Sequence, residues 1–201
     1  LTTTDEKIAL LESSGIDHVV IAPFSQAFSQ RTARAYVEDF LLAKFRPRYI
    51  VIGYDHHFGH DREGDLSFLK QYEAQGGFEV VEIPAQEVDD IAVSSSKIRK
   101  ALEAADIQQA TRLLGHFFFI TGNVVEGNRI GRTIGFPTAN IELSDPHKLT
   151  PPPGIYAARV STVADARLSN ADAMLYIGTR PTLEHFNHQT IEVNILDFDG
   201  D

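Results

Sequence analysis

Apolar positions change period several times through the first 115 residues. Thr3-Thr4-Asp5-Glu6 opens a helix with a capping box, Ile8, Leu10 and Leu11 form its apolar side, and Gly15 supplies a stop. His18-Val-Val-Ile-Ala22 is a β-rich run of the kind buried on both faces of a parallel sheet. Tyr36, Val37, Phe40, Leu41 and Phe45 give residues 32–45 an amphipathic helical face, with Pro47 at its exit. Tyr49–Gly53 predicts a second strand, residues 64–75 a crossover helix, and Phe78–Ile83 a third strand. Helical spacing returns over Lys97–Ala104 and Asp106–Leu114. Asp106 is an N-cap there, Gln109 completes a box and Gly115 follows the last apolar residue. Strands separated by helices predict βαβ units and a doubly wound α/β parallel sheet. The chain opens on a crossover helix, so the expectation is an incomplete sheet with its first strand missing.

Beyond Gly115 the helical spacing stops. Phe117–Val125, Gly154–Val160, Ala173–Ile177 and Thr190–Leu196 read as short strands, with turn-rich sequence after the first of them. Short strands punctuated by Gly and Pro predict an antiparallel barrel or sandwich. The expected domains are therefore residues 1–115 and 116–201.

Composition narrows the function class. Acidic residues outnumber basic ones 28 to 18, for a net charge of -10. Neither half offers the broad basic face that nucleic acid requires. Cysteine is absent, which excludes disulfides, thiol nucleophiles and thiolate metal sites. No apolar run approaches the roughly 20 residues of a membrane span. The expectation is a cytoplasmic protein acting on small molecules, with neither nucleic acid nor membrane as partner.

Three segments could carry chemistry. Gly53-Tyr-Asp-His-His-Phe-Gly-His-Asp-Arg-Glu-Gly64 lies at the carboxyl end of a predicted parallel strand, where open α/β sheets bind ligands. His56, His57 and His60 with Asp55 and Asp61 are metal-ligand types, but a ligand-facing loop with structural glycines is the favoured reading. Val93-Ser-Ser-Ser-Lys-Ile-Arg99 enters a helix. Ser94 to Lys97 matches Ser-x-x-Lys without the companion motifs of β-lactamases. Helix capping explains the serines, and the same N–H groups and hydroxyls suit a phosphate, with Lys97 or Arg99 adding charge. Gly127, Gly131 and Gly135 are spaced by four before Phe-Pro-Thr-Ala-Asn140. They lack the lysine and following helix of a P-loop and read as a flap or as plain turns.

Gly127-x3-Gly-Arg-x2-Gly-Phe-Pro-Thr-Ala-Asn140 closely resembles the signature of riboflavin kinases, as do Gly154-Ile-Tyr156, Tyr176-Ile-Gly-Thr-Arg-Pro-Thr182 and Ile191-Glu-Val-Asn-Ile-Leu-Asp-Phe198. Ile52-Gly-Tyr-Asp-His-His-Phe-Gly59 and the serine-rich segment resemble the adenylyltransferase half of bacterial bifunctional FAD synthetases. The resemblance covers essentially the whole chain. It implies a doubly wound nucleotidyltransferase domain followed by an antiparallel β-barrel riboflavin kinase domain. One would adenylate FMN to FAD with release of pyrophosphate, and the other would phosphorylate riboflavin to FMN with ATP and Mg²⁺, leaving ADP. It further implies that Thr138 and Asn140 help hold Mg²⁺ and that Gly127, Gly131, Gly135 and Pro137 belong to the ATP cradle. Glu192 falls where the family has the carboxylate that activates the ribityl hydroxyl. From alternation alone, Glu192 reads as an outward-facing strand residue.

For the adenylyltransferase half the resemblance implies nucleotide or flavin contacts from Gly53, Asp55, Phe58, Gly59, Ser95, Ser96 and Arg99. Ser96 stands where a threonine is usual, keeping the hydroxyl. The family's His-x-Gly-His motif is not reproduced by any of the eight histidines, and relatives continue beyond Asp201 into a helix. Both domains are therefore expected to be incomplete, the first at its N-terminal part and the second at its C-terminal helix. Two other readings stand beside the bifunctional one: a riboflavin kinase carrying a scaffold domain, and a non-catalytic flavin- or nucleotide-binding module.

Overall fold

Thr3 starts the first helix, α1 (Thr4–Ser13), with both halves of its capping box formed. Its hydroxyl accepts from the Glu6 N–H at 3.2 Å, and the Glu6 carboxylate accepts from the Thr3 N–H at 2.9 Å. The computed structural model describes residues 1–88, 91–126, 136–162, 165, 168–180 and 188–198. They divide into two units. One is Asp17–Val93; the other joins Leu1–Ile16 to Ser94–Asp201. α1 and the helices after Val93 fall in the unit that holds the antiparallel strands.

In the Asp17–Val93 unit, α2 (Gln26–Ser29) precedes a helical run made of α3 (Ala33–Ala35), a π-helical stretch Tyr36–Leu42 and α4 (Ala43–Phe45). β1 (Tyr49–Gly53), a 3₁₀ turn at His60–Arg62, α5 (Leu66–Glu73) and β2 (Glu79–Ile83) follow, then the small hairpin β3 (Glu87–Val88) and β4 (Ile91–Ala92). β1 and β2 are parallel, with Tyr49 opposite Glu79 and Gly53 opposite Ile83, and α5 makes the crossover. The Asp65 carboxylate caps α5 by accepting from the Phe68 N–H at 2.8 Å. Strand alternation sends Ile50, Ile52 and Val80 toward Ala33, Val37, Phe58, Leu69 and Phe78, which form the core. Tyr49, Val51, Val81 and Ile83, on the other face, are exposed.

One expectation is met in part here and one is corrected. The parallel sheet has two strands, covered on one face, so a doubly wound arrangement is not seen among the described residues. His18–Ala22 is not a strand, and Val20 and Ile21 are each 62% exposed. A β-rich run becomes a strand only by joining a ladder. β1 and β2 pair with each other alone, and nothing in their sheet aligns with this run.

In the second unit Ser94 caps α6 (Ser95–Glu103). The Asp106 carboxylate accepts from the Gln109 N–H at 2.9 Å at the start of α7 (Ile107–Leu114), and Gly115 ends it at φ 74°. β5 (Gly122–Val125), β6 (Ala139–Leu143), β7 (Gly154–Val160), β8 (Ala171–Arg180) and β9 (His188–Ile195) form an antiparallel sheet in the order β5-β6-β9-β8-β7. The antiparallel architecture agrees with the sequence. Closure into a barrel does not appear, since no ladder joins β5 to β7 among the described residues. The strand expected over Phe117–Val125 is confined to its last four residues, and β6 comes from sequence that reads as turns.

α1 is fastened within this unit by a buried ion pair. The Lys148 ammonium donates to the Glu6 carboxylate at 2.5 Å, with the two side chains 2% and 1% exposed. Thr121 donates its hydroxyl to the other Glu6 oxygen at 3.0 Å, and the rings of Phe118 and Phe119 lie 4.6 and 5.3 Å from the ammonium.

Candidate active site

β9 builds the more complete of the two candidate sites. Ile191 and Val193 are buried, so Glu192 and Asn194 project from the opposite face of the strand. Glu192 lies directly opposite Asn140 of β6 and Tyr176 of β8. Cross-strand partners share a face, so the three side chains stand in one row across the sheet. The Thr138 hydroxyl donates to Glu192 Oε2 at 3.2 Å. Asn194 Nδ2 donates to the Pro137 carbonyl at 2.7 Å, which pins the segment entering β6 over the same face. Pro137, Thr138, Asn140 and Glu192 are thus brought together. Gly127, Gly131 and Gly135 lie outside the described residues.

A hydroxyl and a carboxylate meet here, with a carboxamide beside them in the row. Such an all-oxygen donor set suits a hard cation of the Mg²⁺ type, which takes few protein ligands and completes its shell with water and phosphate. Sequence reasoning missed Asn194 and Tyr176. Counting by twos from Glu192, and then across the register, is the signal that finds them.

The second candidate is the loop after β1. Tyr54 N–H donates to the Ile83 carbonyl and His56 N–H to the Gly53 carbonyl, turning the chain sharply. Phe58 and Gly64 exchange backbone hydrogen bonds of 3.0 and 2.9 Å, closing the loop on itself. Asp55 is exposed. Phe58 is 9% exposed and packs with Tyr36 and Phe68 at ring-centroid distances of 5.4 and 6.0 Å, so it anchors the loop in the core. A cleft of about 330 Å³ lies beside it, lined by Tyr36, Leu41, Tyr49, Ile50, His56 and Phe58. Burial pushes the Tyr36 phenol above its ordinary pKa. Among the described residues no group of three His, Asp or Glu is arranged to hold a metal, and His60 pairs with Asp61 at 3.1 Å on the surface.

Gly59 is the conformational key of that loop. Its φ of 77° and ψ of 169° lie in a region open essentially to glycine, and an added Cβ would stand 2.6 Å from the Ala33 nitrogen. Gly59→Ala is expected to destabilise the Asp17–Val93 unit by about 1–3 kcal/mol from the backbone alone. Urea unfolding followed by tyrosine fluorescence measures it, and an unshifted transition would contradict the reading.

Ser95, Ser96 and Arg99 occupy the first turns of α6, and both serines are exposed. They belong to a different unit from Gly53, Asp55, Phe58 and Gly59.

Residues 1–97 match the FAD synthetase family and residues 114–201 the riboflavin kinase family. The chain is 36% identical over 197 residues to the bifunctional riboflavin kinase/FMN adenylyltransferase of Escherichia coli (strain K12), covering 98% of this chain and 61% of that protein. Its identity to the protein of the same name from Haemophilus influenzae is 36% over 193 residues, with 96% and 61% covered. The chain thus spans about three fifths of the length of these curated relatives. A crystal structure described as a macrolide-efflux protein from Streptococcus pneumoniae superposes with a TM-score of 0.85 at 32% identity, over 99% of this chain and 62% of that one. Among the described residues no helix is long and apolar enough to cross a membrane.

Proposed function

We propose, for a chain whose residues 1–97 match the FAD synthetase family and whose residues 114–201 match the riboflavin kinase family, that it serves flavin cofactor biosynthesis. Residues 116–201 phosphorylate riboflavin to FMN with ATP, and residues 1–115 adenylate FMN to FAD with release of pyrophosphate. The observation that carries the reading is the row formed by Asn140 and Glu192 with Thr138 hydrogen-bonded to it. In the wider reading the α/β half is part of a doubly wound sheet, the antiparallel half part of a barrel, and the protein works in the cytoplasm.

Phosphoryl transfer demands positioning and charge stabilisation more than covalent help. In the kinase step the ribityl hydroxyl oxygen bonds to the γ-phosphorus, and the bond from that phosphorus to the bridging oxygen breaks. ADP leaves with the electron pair, and the hydroxyl proton passes to the Glu192 carboxylate. Thr138 orients that carboxylate through its hydroxyl. Mg²⁺, held by Thr138 and Asn140 together with the ATP phosphates, would neutralise charge on the transferring group. Gly127, Gly131, Gly135 and Pro137 are assigned to the ATP cradle. Gly53, Asp55, Phe58, Gly59, Ser95, Ser96 and Arg99 are assigned to the adenylyltransferase half, with Phe58 acting by anchoring its loop.

The test is chromatographic. The protein is incubated with riboflavin, ATP and Mg²⁺, and the three flavins are resolved over time. FMN followed by FAD is the expected result. FMN alone would reduce the first half to a scaffold, and neither product from folded protein would replace the enzyme reading with a binding module.

A further inference from the structure

The open face of the antiparallel sheet changes character within one row. Glu192, Asn140 and Thr138 make its polar end, while Tyr176 and, beyond it on β7, Ile155 continue the same row as an apolar end. Met174 lies one step along β8 on the same face. These three are 45%, 69% and 40% exposed, a run of large apolar surface beside the Glu192 carboxylate. Exposed apolar surface of this kind marks a binding surface when it is contiguous with a polar site. Tyr176 is also specifically accommodated. Its ring lies over Gly178, where an added Cβ would stand 2.5 Å from Cζ and 2.6 Å from Cε1. Gly178 is a strand residue without a positive φ, so what glycine supplies at this position is room for the ring.

We propose that Tyr176, seated in the space left by Gly178, is the specificity-determining wall that stacks against the flat ring of the flavin and sets its hydroxylated tail against Glu192. The inference rests on the riboflavin kinase reading of this sheet. A planar apolar ring joined to a polyhydroxyl tail has the same division as the row itself. Phe is expected to replace Tyr176 without loss, since the face of the ring is what binds. Ala at position 178 displaces the ring without removing it.

The experiment uses the full chain and two readouts: quenching of riboflavin fluorescence on titration with protein, and kinase steady-state kinetics. Tyr176→Ala and Gly178→Ala are each expected to raise the riboflavin dissociation constant and KM about tenfold, the scale of one aromatic stack. The KM for ATP stays unchanged. Tyr176→Phe keeps wild-type values, and the double variant Tyr176→Ala/Gly178→Ala is no worse than Tyr176→Ala, because both remove one contact. Unchanged riboflavin affinity in Tyr176→Ala, with activity intact in the parent chain, overturns the inference alone. Equal losses toward riboflavin and ATP, or a dimer in the parent chain that dissociates in Tyr176→Ala without effect on riboflavin, overturn it as well. A parent chain that neither binds nor converts riboflavin overturns the kinase reading and the inference with it.

Discussion

Replacing Lys148 with methionine is expected to destabilise the unit that contains α1 and the antiparallel sheet by about 3–5 kcal/mol, the usual consequence of leaving one member of a buried ion pair unpaired. The stranded group is the Glu6 carboxylate, 1% exposed. Its other donors, the Thr3 N–H and the Thr121 hydroxyl, are neutral and do not cancel its charge. The double replacement Lys148→Met/Glu6→Leu is expected to recover most of that loss, since a packed apolar pair has no charge to desolvate. Urea unfolding followed by circular dichroism gives both numbers, and a double variant as unstable as the single one would show that the pair matters for shape rather than charge.

The same site gives a pH dependence. Burial alone would raise the Glu6 pKa, but the hydrogen bonds from Lys148, Thr3 and Thr121 and the charge of Lys148 outweigh it and hold the carboxyl below its ordinary value. The folded state therefore releases this proton more readily than the unfolded chain. The associated stability is fully present above the unfolded pKa, about 4.3, and is lost as pH falls through the lower folded value. Glu6→Gln should flatten that acid limb.

The second large effect is on chemistry. Glu192→Gln is expected to lower kinase kcat by about 10²–10⁴-fold, the range for loss of a positioned proton acceptor, while ADP binds as before. Glutamine keeps the size of the side chain and can still accept from Thr138, so the hydrogen bond at 3.2 Å and the strand register have no reason to change. Isothermal titration with ADP and stopped assays of FMN formation separate the two quantities. Full turnover in this variant would remove the role given to Glu192, and parallel loss of ADP binding would point to a damaged fold.

Local signals served well where short-range chemistry alone decides the structure. The Thr3–Glu6 box, the Asp106 cap and the Gly115 stop involve groups within four residues of each other and stand where the sequence puts them. β1, α5 and β2 were legible because their periods differ sharply. The π-helical turn at Tyr36–Leu42 was not, because apolar residues at 36, 37, 40 and 41 satisfy an α and a wider helical period alike. His18–Ala22 failed for the opposite reason: its composition is right, but a strand is a property of pairs. β6 was hidden because Pro137 and the surrounding glycines read as turns, yet four of its residues pair with β5 and two with β9. At the candidate site, motif resemblance pointed to Thr138, Asn140 and Glu192. Only the register shows that they share a row with Tyr176.

The buried Glu6–Lys148 pair also settles how the chain would answer a mechanical load. Asp17–Val93 is inserted between two parts of the other unit, so both of its ends lead into the same folded body. Tension applied between the first and last residues is borne by α1 and its buried clasp, and the inserted unit feels none while that clasp holds. Its 17–93 segment, roughly 250–280 Å when fully extended, is hidden length. It is released only after the body that brackets it has opened.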